Sequence, residues 1–550
     1  MTAQTDNSNH EQVNTQNEVG RERTLFNFRP VLFCAFFLCI GIVFARALWK
    51  GISAWWLCLL PCIFLVLLFA KNAQDRKHKR IRCIYLLFAF FIGLGSYALQ
   101  MCTYFDGGRY NGTYFVSGRV ETRILDGDLC RVVLSDLEID GNTEKGKLVA
   151  YLPYTYYEKL ALSDHVAVYG KVKSYDVDMD DAYFAYAVES NTRFQMNGES
   201  AVVIGHTFRL FPYLRDRIQT TLFACMDETV ASVTLAVLTG DDVFMDNGLL
   251  DNFRYGGIAH IFAVSGLHVG ALFAFALAFM KTKLLKRSPK FLRFTLVAVL
   301  LLFYGGICGY SASVIRAIVM CLITYAFSLI GLITDAGENI GAAAIVVVLL
   351  SPTSLFTAGF QLSFAACFGI AWLSRPILNR LVKPIPINED GDTSPLSVRQ
   401  SVWRAACSFF AVTISAQLAT APIQLITFRY LSGWSILTNC IFVPLISAVF
   451  SVFLLIVTVA CLLPTSWATV LLYVPNVVWS VLLLAFEVFD FSRFALTEVS
   501  VGWSATICYY LGCSFMTDKW RLGKPAKRLL FTCARLACIA AVCAQTFVLA

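Results

Sequence analysis

Stretches of about twenty apolar residues recur along nearly the whole of this 550-residue chain. A helix of roughly 20 residues is ~30 Å long, the thickness of a bilayer's hydrocarbon core. The candidate spans are 31–49, 52–70, 83–101, 256–280, 291–309, 311–331, 355–374, 404–428, 434–461, 466–490, 499–516 and 529–549. A shorter run, 340–351, reads as a thin span or a re-entrant half-helix. Composition agrees: 57% of residues are hydrophobic and 15% charged, with a mean hydropathy of +0.64. Soluble chains hold roughly 45–50% apolar and about 25% charged residues. The expected fold is a polytopic α-helical membrane protein of 12–13 spans, carrying one small all-β extracytoplasmic domain.

Charge placement gives orientation. The segments "KNAQDRKHKRIR" (71–82), "KTKLLKRSPK" (281–290) and "KWRLGKPAKR" (519–528) are short, basic and flank spans, which predicts that they are cytoplasmic. A polar tail, 1–30, holds Arg21, Arg23 and Arg29 and is read as disordered and cytoplasmic, with 31–49 an uncleaved anchor. Three spans (31–101) then leave 102–205 outside, and strict alternation through 231–550 carries Ala550 out. The expected location is a bacterial cytoplasmic membrane.

Residues 102–205 alternate like strands: "TYFVSGRVET", "LCRVVLSDLEI", "GKLVAYLPY" and "DHVAVYGKVKSY", separated by turn-rich breaks. Such spacing predicts a small barrel or sandwich. "GNTEKGKL" imitates a phosphate-binding loop, but Leu148 stands where Ser or Thr must hold magnesium, and no helix follows. The segment carries ten Lys/Arg against sixteen Asp/Glu, which disfavours strong nucleic-acid binding. "DVDMDD" (176–181) lacks the glycine and closing glutamate of a calcium loop. Tyr151, Tyr154, Tyr156 and Tyr157 read as strand packing before base stacking. Of the 19 cysteines, most lie within spans; Cys102 and Cys130 are the two in this segment and form a candidate disulfide. Residues 206–230, with arginines set against Phe, Leu and Ile, predict an interfacial amphipathic helix.

One apolar run is abnormal. "GGIAHIFAVSGLHVG" (256–270) carries two histidines, a serine and four glycines at the head of a span. On a continuous helix His260 and His268 fall about 80° apart, and Ser265 neighbours His268. Polar groups at membrane depth face a cavity or another helix, while glycines permit close approach or a broken helix. Three readings stand: packing, a Ser–His pair in an intramembrane hydrolase using Ser265, and the wall of a water-filled conduit.

These residues also carry a resemblance. "LTGDDVFMDNGLLDNFRYGGIAHIFAVSGLHVGALF" (238–273) resembles the signature of the ComEC family, the inner-membrane DNA channels of natural competence. Three further elements follow in order. "GICGYSASVIRAIVM" (306–320) contains Ser313, Arg316 and Ala317, and "LLSPTSLFTAGFQLSFAACFGI" (349–370) contains Gln361 and Ser363. "SAQLATAPIQLITFRYLSGWSILTNCIFVPL" (415–445) contains Gln417 and Asn439. The resemblance implies an OB-like external domain and passage of single-stranded DNA across the cytoplasmic membrane during natural transformation. It implies as partners an extracellular DNA receptor, a cytoplasmic DNA translocase and the membrane lipid itself. Many relatives carry a metallo-β-lactamase-like domain needing an H-x-H-x-D-H cluster. No such spacing occurs among the six histidines, so a separate nuclease is expected, with no metal, no cofactor and no catalytic residue on this chain.

The candidate conduit residues are therefore His260, Ser265, Gly266, His268, Ser313, Arg316, Gln361, Ser363, Gln417 and Asn439. Arg316 is the candidate phosphate contact. Asp241 and Asp242 are candidate entrance residues, or caps of the helix that follows. A small-solute or lipid-precursor transporter is the alternative from another class. It would carry inverted repeats with matched broken helices, and none is evident.

Overall fold

The computed structural model describes residues 29–50, 76–106, 108–126, 129–157, 159–175, 182–262, 264, 266–282, 285, 287–332, 335–382, 397–487, 491, 495–497, 506 and 509–510. The expected spans 52–70 and 529–549, most of 499–516, the acidic loop 176–181 and the basic loop 519–528 lie outside them.

Two apolar helices, α1 (Pro30–Trp49) and α2 (Arg76–Phe105), precede the β domain. They run parallel, with Trp49 stacked on Phe105 at 6.3 Å. Backbones touch where Gly41 and Gly93 face each other's helix: an added Cβ would sit 2.1 Å from the carbonyl oxygens of Phe90 and Leu38. The sheet follows as β1 (Asn111–Asp126), β2 (Leu129–Ile139), β3 (Asn142–Glu144), β4 (Lys147–Pro153), β5 (Asp164–Ser174) and β6 (Thr192–His206). Strand β1 pairs with β2 on one edge and β5 on the other; β5 pairs with β6, β6 with β4, and β4 with β2. The pairings form a closed cycle around a core that includes Val116, Leu134, Leu152, Val168 and Met196.

All four strands expected from alternation are present, but the domain is not all-β. The sheet is mixed, because β4 and β6 run parallel, and α3 (Ala182–Glu189) lies between β5 and β6. Phe184 and Val188 of α3, one helical turn apart, pack into the membrane-domain core rather than the barrel. The expected disulfide is also corrected. Cys102 is exposed on α2, whereas Cys130 faces the barrel interior, and both are free. Strand alternation turns Cys130 inward, and burial pushes its thiol up.

Beyond the barrel come α4 (Leu210–Cys225), α5 (Glu228–Thr239), α6 (Asn247–Gly256), α7 (Gly266–Met280), α8 (Lys290–Ile307), α9 (Ala312–Leu329) and α10 (Ala336–Leu350). Helices α11 (Ala358–Leu381), α12 (Val398–Phe428), α13 (Ser435–Ala460) and α14 (Thr465–Glu487) follow, with strands β7 (Tyr430–Ser432) and β8 (Ala495–Thr497) pairing as a small ribbon. Among the described residues six helices are long and apolar enough to cross a membrane: α1, Ile81–Phe105 of α2, α8, α9, α12 and Thr465–Phe486 of α14. Helix α13, bent by 42°, makes a seventh. This is a multi-pass membrane protein.

Arginines tie the layers together. From β6, Arg193 donates to the carbonyls of Asp106 (2.6 Å) and Thr103 at the end of α2, and the Tyr104 hydroxyl donates to Thr192 O at 2.7 Å. From α4, Arg215 donates twice to Ile307 O, at 3.1 and 2.6 Å, and Arg217 to Cys461 O at 3.2 Å. Each arginine meets the electronegative end of a helix, a favourable charge–dipole arrangement. These last contacts correct the expected topology. Residues two positions apart on α4 hold the ends of both α8 and α13, so those helices end on one face of the bundle. Strict alternation placed them on opposite faces, and the outward placement of Ala550 rested on that count.

At the other end of the bundle, Arg29 forms a bidentate pair with Asp335, 2.5 and 2.8 Å, and Val31 N donates to Glu338. This fixes the starts of α1 and α10 at one level. Labelling of single cysteines placed in a cysteine-free background should modify residue 141 in the barrel from outside intact cells and spare residue 288. The reverse pattern would overturn the orientation.

Candidate functional site

The abnormal run 256–280 is not one helix. Helix α6 ends at Gly256, and Gly257 adopts φ +75° with its amide donating to Arg254 O at 2.9 Å. A 3-10 turn covers Ala259–Ile261, and α7 begins only at Gly266. The reading that set His260 and His268 about 80° apart on one helix is therefore corrected: they sit on either side of the break. Breaking a helix exposes carbonyls that lipid cannot satisfy. Here β7 and the start of α13 supply hydroxyls. Ser432 donates to Tyr255 O at 2.6 Å and Thr438 to Gly256 O at 2.7 Å. Both glycines are required sterically. A Cβ on Gly257 would lie 2.4 Å from Ser435 Cβ, and one on Gly256 would lie 2.4 Å from the Phe486 ring.

Arg316, on α9, faces the start of α7. It is 4% exposed. Its Nε and Nη1 have no hydrogen-bond partner among the described residues. Its Nη2 lies 3.1 Å from the point where a Gly266 Cβ would stand, and its guanidinium sits 5.6 Å over the Phe364 ring of α11. Phe364 stacks on Phe360 at 4.2 Å. One turn towards the start of α9, Ser313 Oγ is 3.2 Å from Ser363 Oγ. Four candidates from three separate motifs thus converge: Gly266, Ser313, Arg316 and Ser363.

The others divide. His268 is 1% exposed and packs edge-on against Phe450 of α13, at 4.7 Å between ring centroids. His260 is exposed, although Ile258, Ile261 and Phe262 around it are buried. Gln361 donates to Leu355 O at 3.2 Å, within its own segment. Gln417 is half-buried on α12. Asn439, 9% exposed, has an Oδ1 without a partner among the described residues. Ser265 lies outside the described residues. Asp241 is half-buried and Asp242 exposed. The following helix is capped instead by Asp246, whose Oδ2 accepts from Leu249 N at 3.2 Å. Ser432 and Thr438, which complete the break, were missed. Their signal was the polar cluster "SGWSILTN" directly before an apolar run. Among the described residues no group of three or more His, Cys, Asp or Glu could hold a metal ion.

Residues 237–521, just over half of the chain, match the family profile described as "Competence protein". The chain belongs to this family. Over 231 residues it is 29% identical to ComE operon protein 3 of Bacillus subtilis, covering 42% of this chain and 26% of that protein. It is 24% identical over 200 residues to Uncharacterized protein MG316 of Mycoplasma genitalium, covering 36% and 44%. A homologue in Mycoplasma pneumoniae is 27% identical over 188 residues, covering 34% and 42%. The matched stretches thus span a quarter to under half of these relatives' own lengths. Every conduit and entrance candidate of this competence-family chain lies inside the matched region, and α1, α2 and the barrel precede it.

The break makes a stability prediction. Gly257→Ala, strained by positive φ and blocked by Ser435, should lower the thermal midpoint and expression markedly, by roughly 2–4 kcal/mol. Gly270→Ala on α7, where an added Cβ meets nothing within 4 Å, should be neutral within about 0.5 kcal/mol. Thermal unfolding of the two purified variants in detergent is the check; equal midpoints would contradict the geometry.

Proposed function

We propose that this protein is a channel that passes single-stranded DNA across the cytoplasmic membrane during natural transformation. The observation that carries this reading is Arg316: a buried guanidinium inside a helix bundle, short of acceptors, against a glycine surface at a helix break. An arginine at the centre of a membrane helix costs about 2.5–3.5 kcal/mol on insertion scales. Passing phosphates supply the acceptors it lacks. Ser313 and Ser363 add neutral hydroxyls beside it, which hold a phosphate weakly enough to release it. Stacked Phe360 and Phe364 offer a face to bases. His260, Gln417 and Asn439 extend the polar wall, while His268 serves packing on the α13 side.

The barrel belongs to the outside in this reading, and its pairing cycle β1–β2–β4–β6–β5–β1, with one parallel pair, supports an OB-like topology. Helix α4 lies along the outer leaflet. The chain acts with an external DNA receptor, a cytoplasmic translocase that pulls the strand and a separate nuclease, and has no catalytic role itself.

Arg316→Ala should lower DNA internalisation by about two orders of magnitude, the equivalent of the roughly 2.5–3.5 kcal/mol at stake. DNA bound at the cell surface should be unchanged. Arg316→Lys should recover part of the loss, since charge remains while the planar fork is gone. Transport at the original rate by a stably inserted Arg316→Ala protein would refute the conduit role. In the same uptake assay, with expression matched, Gly266→Leu should be worst, because its side chain displaces the guanidinium. His260→Leu and His268→Leu should be intermediate, and Ser265→Ala mildest. A dead Ser265→Ala beside a working Gly266→Leu would favour a hydrolase.

A further inference from the structure

A cavity of about 400 Å³ opens where the barrel meets the ends of α2 and α10, away from the conduit cluster. Its wall includes Thr103, Lys145, Glu189, Asn191, Arg193 and Ser351. The level is that of the outer headgroups, because α1, α2 and α10 all end here. Trp49 stacks on Phe105 beside it, as aromatic pairs do at a membrane interface. Leu350, also in the wall, is 67% exposed. An apolar stripe on α2 leads up to the cavity: Ile84, Phe88 and Phe91 are exposed at one-turn spacing, and Leu99 follows two turns on. This is a track for an acyl chain ending beneath a polar pocket.

Both signs of charge line the pocket. Glu189 is the last residue of α3, so its carboxylate sits at the helix end that already carries partial negative charge. It is half-buried, burial pushes its carboxyl up, and the Thr357 hydroxyl is the group that steadies it. No basic side chain pairs with it among the described residues. Helix α10 ends in the same wall and has no basic residue in its last turn. The contrast with α2 is direct, since Arg193 takes the carbonyls at that helix's end. Two helix C-termini and a carboxylate therefore look into a cavity whose wall also holds Arg193, its guanidinium already spent on Asn191 and the end of α2. At the rim stands Lys145, 77% exposed and 3.4 Å from Asp106 Oδ2.

We propose that this cavity is a site for an outer-leaflet phospholipid with a phosphoethanolamine headgroup. The ammonium sits between Glu189 and the end of α10, the phosphate turns towards Lys145, and one acyl chain follows the α2 stripe. A primary ammonium is selected over a quaternary one because the negative wall is a carboxylate that accepts N–H bonds. A choline group cannot donate them and needs an aromatic cage.

The test uses the full chain purified in a neutral detergent and offered phosphatidylethanolamine, phosphatidylcholine and phosphatidylglycerol of matched acyl chains, with retained lipid read by native mass spectrometry. Phosphatidylethanolamine should be held about tenfold more tightly than either of the others, the value of a charge-assisted hydrogen bond. Glu189→Gln, which keeps the shape and removes the charge, should reduce it to the phosphatidylcholine level and leave phosphatidylglycerol unchanged. A series of N-methylated phosphatidylethanolamines on the unaltered protein makes a second measurement independent of any variant, and retention should fall with each methyl. Equal retention of the three lipids, a flat methylation series, or no effect of Glu189→Gln would overturn the proposal. Displacement by free phosphoethanolamine as effective as by the lipid would overturn the lipid source. None of these outcomes bears on Arg316.

Discussion

Backbone carbonyls that a membrane cannot hydrate govern this structure. A helix that stays whole satisfies them internally, and a helix that stops or breaks does not. The chain meets this constraint with donors brought from elsewhere in the sequence. Arg193 reaches from the barrel to the end of α2, Arg215 and Arg217 reach from α4 to the ends of α8 and α13, and Ser432 and Thr438 close the break after α6. Removing one such donor leaves a buried acceptor unpaired, which costs about 1–3 kcal/mol. The barrel and α4 therefore act as caps for the membrane bundle, not as appendages to it.

Arg316 inverts that arrangement. Arg193, Arg215 and Arg217 are spent on carbonyls, and Arg29 is spent on Asp335. Arg316 keeps two of its nitrogens without partners among the described residues. The break explains how the site tolerates this. With Gly266 at the first position of α7, no side chain fills the space before the guanidinium. A continuous helix with an ordinary residue there would both cover the charge and crowd it. Break and arginine are thus one device, which is why the same stretch carries so many glycines.

Much of this was legible in the sequence, in proportion to how local the signal was. The span pattern, the four alternating strands and the break's glycines all rest on neighbouring residues. So did the motifs that supplied Gly266, Ser313, Arg316 and Ser363, although nothing in them said that they meet. What stayed hidden depends on distant partners. The parallel pairing of β4 with β6 joins strands separated by β5 and α3. Helix α3 was readable from Phe184 and Val188 at helical spacing, yet its apolar face serves the membrane domain and so looked out of place in a strand-rich segment. Alternation of basic loops placed α8 with some force, but there is no comparable charge beside α13, and the contacts of α4 decide that end instead. Cys102 and Cys130 looked like a pair because they share a segment, whereas the helix end at Phe105 puts them in different layers.

The two histidines make the same point within one motif. Sequence offers them as equivalent polar groups eight positions apart. The break separates their fates: His268 lies inside α7 and is driven against Phe450, where its ring packs with Tyr304 in the same aromatic group. His260 lies in the 3-10 turn, whose tighter spacing points it away from buried Ile258 and Ile261. Near the break, exposure therefore follows local backbone geometry and not polarity alone. Contacts rank the remaining polar candidates. Arg316 adjoins Gly266, and Ser313 meets Ser363 one turn away, so these four form the core of the candidate site. Gln361 instead donates to Leu355 O, within the entry of its own helix α11.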